Sequence, residues 1–149
     1  MTRWRLPAAA VALVAYTAAW LTPATWWFEP LTLTVSQREP GGPAIVAMGR
    51  LSKRAFDGAY TTAVFAVGPD APPVCGRGET RRYKGGLSAP YEMPLAEWAN
   101  DARCAALPPG SYYAHGCWTV LRPWWGLVPD KTACIVSPIF EILPREGDE

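Results

Sequence analysis

The amino-acid sequence predicts an all-β domain that follows a single apolar segment at the N-terminus. The chain of 149 residues contains 16 prolines and 13 glycines, which divide it into short segments. About six to eight of these segments have the alternating or β-branched pattern of strands, with turn residues between them. That number of short strands is typical of a β-sandwich.

The N-terminal segment is an uncharged run of 23 residues from Leu6 to Phe28, preceded by Arg3 and Arg5. A helix that spans a bilayer needs about 20 such residues, and basic residues on one flank hold that flank in the cytoplasm. Four aromatic side chains suit the far membrane interface: Trp20, Trp26, Trp27 and Phe28. We therefore predict that residues 1–28 form a signal-anchor helix with one span in the inner membrane.

A cleaved signal peptide is the alternative to an anchor. Thr17-Ala-Ala19 and Thr22-Pro-Ala24 both supply the small residues of a cleavage site. In either case we expect residues 29–144 to form one domain in the periplasm or another extracytoplasmic space, with residues 145–149 as an acidic tail. The net charge of the chain is only +1, so we expect no nucleic-acid partner.

Three segments after the apolar run have clear strand patterns: Leu31–Ser36, Ala44–Met48 and Gly58–Val67. We expect a polar connection over residues 49–57. Residues 75–89 are rich in glycine and basic side chains, and we expect them to form a long, irregular, solvated connection.

Two short elements are expected before the C-terminal third of the chain. Tyr91–Leu95 suits an edge strand, because Pro90 and Pro94 confine it to the edge of a sheet. One helical turn over residues 94–100 would bury Leu95 and Trp98.

Residues 107–143 contain two extended segments joined by a turn-rich tip, as expected for a hairpin. If the hairpin folds about Trp125 and Gly126, three pairs of residues face each other: Cys117 and Cys134, Thr119 and Thr132, and His115 and Val136. Neither face of the first segment is cleanly polar, so a bulge is needed unless both faces are covered. Gly116 and Pro138 are the natural bulge positions, and the sequence does not decide between them.

The four cysteines suggest two disulfides, because an even number behind an export signal is typical of a disulfide framework. Opposed residues of a hairpin have Cβ atoms about 4.5–5.5 Å apart, which is near the distance a disulfide needs. We therefore predict Cys117–Cys134, which leaves Cys75–Cys104. A zinc site with His115 is disfavoured, because the cysteine spacings match no zinc-binding pattern. We predict no metal and no cofactor.

Leu107-Pro-Pro-Gly-Ser-Tyr112 matches the L-x-P-G-x-Y pattern that begins the penultimate strand of many immunoglobulin-like and fibronectin type III-like domains. In those domains the tyrosine folds back onto the preceding loop. More broadly, the chain resembles small membrane-anchored proteins of bacterial phages and prophages, which place a Trp-rich anchor before an Ig-like domain.

The features that carry this resemblance are short and spread over most of the chain: Trp26-Trp27-Phe28, Cys75-Gly-x-Gly78, Leu95-x-x-Trp98, Cys104 ahead of the tyrosine motif, Trp118-Thr119 and Ser137-x-x-Phe140. Pro138 and the pair Cys117 and Cys134 depart from the pattern. The resemblance implies an Ig-like or fibronectin III-like sandwich at the host envelope. It implies no activity, because none is established for the group.

The sequence contains no catalytic signature. His115 is the only histidine, and neither Ser111 nor Ser137 lies in a nucleophile elbow. We therefore predict a non-catalytic, membrane-tethered interaction module with a protein partner at the envelope. The rival is an envelope carbohydrate-binding or glycan-hydrolysing domain that uses Trp98, Glu97 and the hairpin tip. Three carboxylates cluster in sequence near Trp98: Glu92, Glu97 and Asp101.

The hairpin tip is the candidate binding site. Trp124 and Trp125 are adjacent on a turn, where polar residues are usual, and Arg122 precedes them. Such a pair covers the end of the core, dips into a membrane interface or anchors a partner. We predict a contact surface formed by Trp124, Trp125 and Arg122.

Overall fold

A computed structural model gives the structure of the chain over residues 8–144, and of residues 87–89 it describes the backbone alone. Arg3 and Arg5, at the start of the predicted anchor, lie outside this range. The predicted acidic tail over residues 145–149 also lies outside it.

The described chain consists mainly of strands, with two α-helices and three short 3₁₀ turns. In order, the helices and strands are α1 (Ala8–Leu21), β1 (Phe28–Gln37), β2 (Ala44–Ser52), β3 (Phe56–Ala66), β4 (Pro73–Cys75), β5 (Gly78–Tyr83), β6 (Gly86–Pro94), α2 (Leu95–Trp98), β7 (Gly110–Val120), β8 (Lys131–Val136) and β9 (Phe140–Ile142). The 3₁₀ turns are Ala24–Trp26, Ala102–Ala105 and Pro123–Gly126.

The strands form two antiparallel sheets. In the first sheet, β2 lies between β1 and β6. In the second, β3 pairs with β7 at the centre, β4 and β5 pair with the outer edge of β3, and β8 and β9 pair with the outer edge of β7. The prediction of a mostly β fold of sandwich type is confirmed.

The hydrophobic core contains side chains from both sheets. β7 contributes alternate residues, and Tyr112, Ala114, Trp118 and Val120 are all buried. β1 contributes Phe28, although Phe28 would not share a face with Leu33 and Val35 in a regular strand. A register shift between Pro30 and Thr32 removes this conflict, because a bulge turns the next residues to the opposite face.

The apolar N-terminal run does not form one helix. α1 has 14 residues and ends at Leu21. Pro23, which cannot continue an α-helix, then precedes the 3₁₀ turn Ala24–Trp26. Trp27 and Phe28 are buried in the core, so their expected place at a membrane interface is wrong. The first strand therefore begins inside the predicted anchor segment 1–28. No helix within residues 8–144 is long and apolar enough to cross a membrane.

Two expected connections contain strands. β2 continues to Ser52 and β3 begins at Phe56, so the polar connection over residues 49–57 shrinks to residues 53–55. The expected irregular stretch over residues 75–89 holds all of β5 and the start of β6. β5 pairs with β3 through its backbone, while Tyr83 is its only buried side chain, so no alternating apolar pattern marks it in the sequence.

The two elements expected after residue 90 are confirmed. β6 forms one edge of the first sheet, although it begins earlier than expected. α2 is one helical turn, and both Leu95 and Trp98 are buried.

The observed hairpin register is the one that follows from a fold about Trp125 and Gly126, which the sequence alone left undecided. β7 and β8 place Cys117 opposite Cys134, Thr119 opposite Thr132 and His115 opposite Val136. Both predicted disulfides are present. Cys117–Cys134 has a Cα–Cα distance of 4.1 Å, and Cys75–Cys104, which joins β4 to the 3₁₀ turn at Ala102–Ala105, has one of 5.6 Å.

The irregularity in the hairpin lies at Pro138. The pairing of β7 with β9 is shifted by one residue from its pairing with β8. Ser137 bridges the break, because its N–H donates to the Ala114 carbonyl at 2.8 Å and its hydroxyl accepts from the Ala114 N–H at 2.9 Å. Pro138 has no N–H to donate, which favours a break in the ladder here.

The Tyr112 side chain folds back onto the preceding loop, as the sequence motif predicts. Its hydroxyl donates to the Pro108 carbonyl at 2.8 Å. This hydrogen bond fixes the chain as it enters β7, the central strand of the second sheet.

Gly116 lies where two indole rings leave no room for a side chain. A Cβ on Gly116 would lie 2.8 Å from a ring carbon of Trp118 and 3.1 Å from one of Trp98. The same atom on Gly68 would have no neighbour within 4 Å. Gly116 therefore serves the packing of the core.

We predict that Gly116→Ala lowers the stability of the full chain by about 2 kcal/mol, since overpacking a core costs about 1–3 kcal/mol. The measurement is thermal unfolding followed by circular dichroism. Gly68→Ala is the matched control and should leave the melting temperature unchanged or slightly raised. Equal melting of both variants would contradict this packing.

Candidate functional site

The hairpin tip has an unusual backbone. Arg122, Trp124 and Trp125 have φ values of 48°, 53° and 58°, which side chains of this size rarely adopt. Asp130 supports the turn, since its carboxylate accepts a hydrogen bond from the Arg122 N–H at 2.8 Å. Strained backbone of this kind is often found at functional sites.

The two tryptophans of the tip have different environments. Trp124 is half-buried and meets the Trp27 ring edge-on, with ring centres 5.9 Å apart. Its indole nitrogen is buried and has no hydrogen-bond partner among the described residues. Trp125 is 91% exposed. The predicted pair therefore divides into one side chain that packs on the core and one that is open to a partner.

A groove of about 670 Å³ runs beside the tip and includes all three predicted binding residues, Arg122, Trp124 and Trp125. Two further guanidinium groups, from Arg54 and Arg82, line it. The carboxylate in the lining belongs to Asp57, which is 4.0 Å from Arg82. The groove is therefore positively charged overall.

The C-terminal end of α1 lies at the same end of the sandwich as the tip. The ammonium group of Lys131, at the start of β8, donates to the Trp20 carbonyl and lies 5.6 Å from the centre of its ring. Arg54, which lines the groove, stacks its guanidinium 4.5 Å from the centre of the Trp26 ring. The apolar segment and the basic groove are therefore neighbours.

A second cavity, of about 330 Å³, includes residues of β2, β3, β5, β6 and α2 in its lining. Glu97 and Trp98, which the rival hypothesis uses, line it together with Glu79. The other carboxylates of the rival cluster make ion pairs instead: Glu92 is 2.8 Å from Arg38, and Asp101 is 2.7 Å from Arg103. Asp101 also accepts a hydrogen bond from the Gly76 N–H at 2.9 Å. The Arg103 side chain, together with the backbone N–H groups of Gly76 and Arg103, holds the pKa of Asp101 well below its ordinary value.

Arginine and tyrosine residues dominate the rest of this cavity. Arg50 from β2 and Arg81 from β5 both lie within 6 Å of the centre of the Tyr83 ring. Burial raises the pKa of Tyr83 to about 12 and also raises the pKa of Tyr91. Sequence reasoning missed these residues. Glu79, Arg81 and Tyr83 alternate along β5 and would have been grouped if that segment had been identified as a strand.

His115 lies next to the hairpin disulfide, with its Nε2 atom 3.4 Å from the Cys117 sulfur. The imidazole and the two sulfurs of Cys117 and Cys134 are within 4.8 Å of one another. Because both sulfurs are joined in a disulfide, neither is a thiolate, and thiolate is the form of cysteine that binds a metal.

A scan of protein-family models and a search of curated proteins returned no match to this chain.

We predict that Trp124→Ala lowers stability by about 2 kcal/mol, less than for a fully buried tryptophan, because its side chain is only partly buried. Trp125→Ala is the matched control and should change stability by less than about 0.5 kcal/mol, since its ring is exposed. Thermal unfolding of the two full-length variants measures both effects. If the two substitutions destabilise the chain equally, it is wrong that Trp124 packs on the core while Trp125 is open to a partner.

Proposed function

We propose that the protein is a non-catalytic interaction module, tethered to a membrane and working outside the cytoplasm, whose hairpin tip is its contact surface. The observation that carries the proposal is the exposed Trp125 beside a basic groove, on a hairpin held by a disulfide.

We propose an Ig-like domain of fibronectin III type. The strand order supports it, because a sheet of the first, second and sixth strands faces a sheet centred on the third and seventh. The Tyr112 hydrogen bond to Pro108 also supports it, because a tyrosine that bonds the backbone upstream of the penultimate strand is a hallmark of such sandwiches. Pro138 makes the last strand of this arrangement two pieces, β8 and β9.

The proposed tether is the apolar segment that ends at Leu21. None of the residues of α1 is buried, although the helix carries Val11, Leu13, Val14 and Trp20 on its surface. A helix that is apolar on all sides needs a cover of lipid or protein. Arg3 and Arg5 before it favour an inner-membrane orientation with the domain outside the cytoplasm.

The two disulfides support an extracytoplasmic location, because such bonds persist in the periplasm and other oxidising compartments and are rare in the cytosol. The resemblance to anchored proteins of phages and prophages suggests that the partner belongs to the host envelope. The groove suggests the character of that partner. Three guanidinium groups against one carboxylate favour an acidic protein surface, with the exposed Trp125 as the anchor that the partner would cover.

The alternative is a glycan-binding or glycan-hydrolysing domain, which the second cavity favours because Glu79 and Glu97 both line it. A general acid of a glycosidase is usually shielded from water, which raises its pKa. Both glutamates are exposed, so between these two activities the cavity suits binding better than hydrolysis.

The contact surface is tested by photo-crosslinking in bacterial membranes. We predict that a crosslinking amino acid at position 125 of the full chain captures one defined protein, and that Arg122→Ala reduces the capture without changing the melting temperature. A crosslinking amino acid at position 139 is the control, because Ile139 is 63% exposed but is not part of the groove. Equal capture at both positions would refute a specific contact at the tip. Crosslinks to lipid alone would show that the tip contacts the bilayer and would refute a protein partner.

The same membrane fraction tests the tether. Mass spectrometry should recover the chain with residues 1–21 attached after alkaline extraction of the membranes. A mature N-terminus at Trp20 or Thr25 would contradict the anchor and leave a secreted module.

A further inference from the structure

We infer that the cavity beside Tyr83 binds a small polar molecule through an oxyanion, either a carboxylate or a phosphate, held by Arg50 and Arg81. This site is separate from the basic groove at the hairpin tip, and the inference does not depend on the tip having a partner.

Two positive charges from opposite sheets converge on one ring. The guanidinium carbon of Arg50 in β2 is 5.8 Å from the centre of the Tyr83 ring, and that of Arg81 in β5 is 5.9 Å from the same centre. Among the described residues, neither guanidinium has a carboxylate within 4.0 Å. Two guanidinium groups on one cavity, neither of them in an ion pair, favour the binding of an anion there.

The Tyr83 hydroxyl offers a third donor. Tyr83 is only 5% exposed, and its oxygen is buried without a hydrogen-bond partner within the described chain. A buried hydroxyl is normally hydrogen-bonded, so this one, in a residue that lines the cavity, has a donor left to satisfy. Because burial raises the pKa of Tyr83 to about 12, the group keeps its proton near neutral pH and is able to donate.

The rings on either side hold the two arginines in place. The guanidinium of Arg50 also stacks 5.2 Å from the centre of Tyr91, and that of Arg81 stacks 4.8 Å from the centre of Tyr60. Such stacking orients a guanidinium while leaving its N–H donors free in the plane of the group. The cavity therefore presents donors whose positions are set before any ligand arrives.

The size and the remaining charges limit the ligand. A cavity of about 330 Å³ is at the small end of ligand sites. Glu79 and Glu97 also line it, and Glu79 accepts a hydrogen bond from the Tyr60 hydroxyl at 3.1 Å. These carboxylates repel a polyanion and accept hydrogen bonds from hydroxyl or ammonium groups. The class that fits is a small molecule with one oxyanion and neighbouring polar hydrogens.

The test is calorimetric titration of the full chain in detergent with three probes: sodium glucuronate, inorganic phosphate and glucose. We expect saturable binding of glucuronate or phosphate and none of neutral glucose. Binding of glucuronate alone assigns a carboxylate ligand, and binding of phosphate alone assigns a phosphate ligand. If neither binds, or if glucose binds equally well, the inference is overturned.

Three variants and one control separate a specific site from general charge. Arg50→Gln and Arg81→Gln should each weaken binding about tenfold or more, because each removes a charged donor. Tyr83→Phe keeps the ring and should weaken binding about threefold, through loss of one hydroxyl. Arg38→Gln, at an exposed arginine outside the cavity, should leave binding unchanged. If a glutamine variant does not fold, Tyr83→Phe decides. Unchanged binding in Tyr83→Phe, or equal weakening in Arg38→Gln, would refute the site.

Discussion

The packing of the Phe28 ring against three aromatic rings of the opposite sheet is the contact on which the rest of the structure depends. Its centre lies 5.1 Å from that of Trp118, 5.9 Å from Tyr83 and 6.0 Å from Phe56. Because Phe28 is the first residue of β1, this contact fixes where the apolar N-terminal segment ends and where the sandwich begins. It also places Trp27 against Trp124 at the groove and supports the Tyr83 ring at the cavity.

The two disulfides hold the regions on which the proposed surfaces depend. Cys117–Cys134 joins β7 to β8 below the tip, so Trp125 is presented by a stiff hairpin that loses little conformational freedom on binding. Cys75–Cys104 ties the short edge strand β4 to the turn after α2, the helical turn that supplies Glu97 and Trp98 to the cavity lining. For loops of this length, each bond is worth about 3 to 4 kcal/mol in the chain-entropy account. Each disulfide therefore includes one strand at an edge of the second sheet, β4 or β8.

Sequence reasoning succeeded for the features that are determined by residues close together in the sequence. An assumed fold about Trp125 and Gly126 led to the observed register and to the Cys117–Cys134 pair, and the tyrosine motif marked the start of β7. It missed β5, because that strand is held by backbone pairing with β3 and has almost no buried side chains. It misplaced Trp27 and Phe28, because an uncharged run looks the same whether its end enters a membrane or a core. The cavity could not be predicted for a different reason. Arg50 and Arg81 are distant in sequence, and they line one cavity only because the two sheets face each other.

The central claim is that the sandwich core begins within the apolar N-terminal run. The most direct measurement compares Phe28→Ala with Leu31→Ala in the full chain, because both residues lie in β1 and Leu31 is 49% exposed. Unfolding should show that Phe28→Ala lowers stability by about 3 to 5 kcal/mol, as for a buried aromatic side chain, and that Leu31→Ala lowers it by about 1 kcal/mol or less. If Phe28→Ala is no more destabilising than Leu31→Ala, Phe28 lies outside the core, and the account is contradicted.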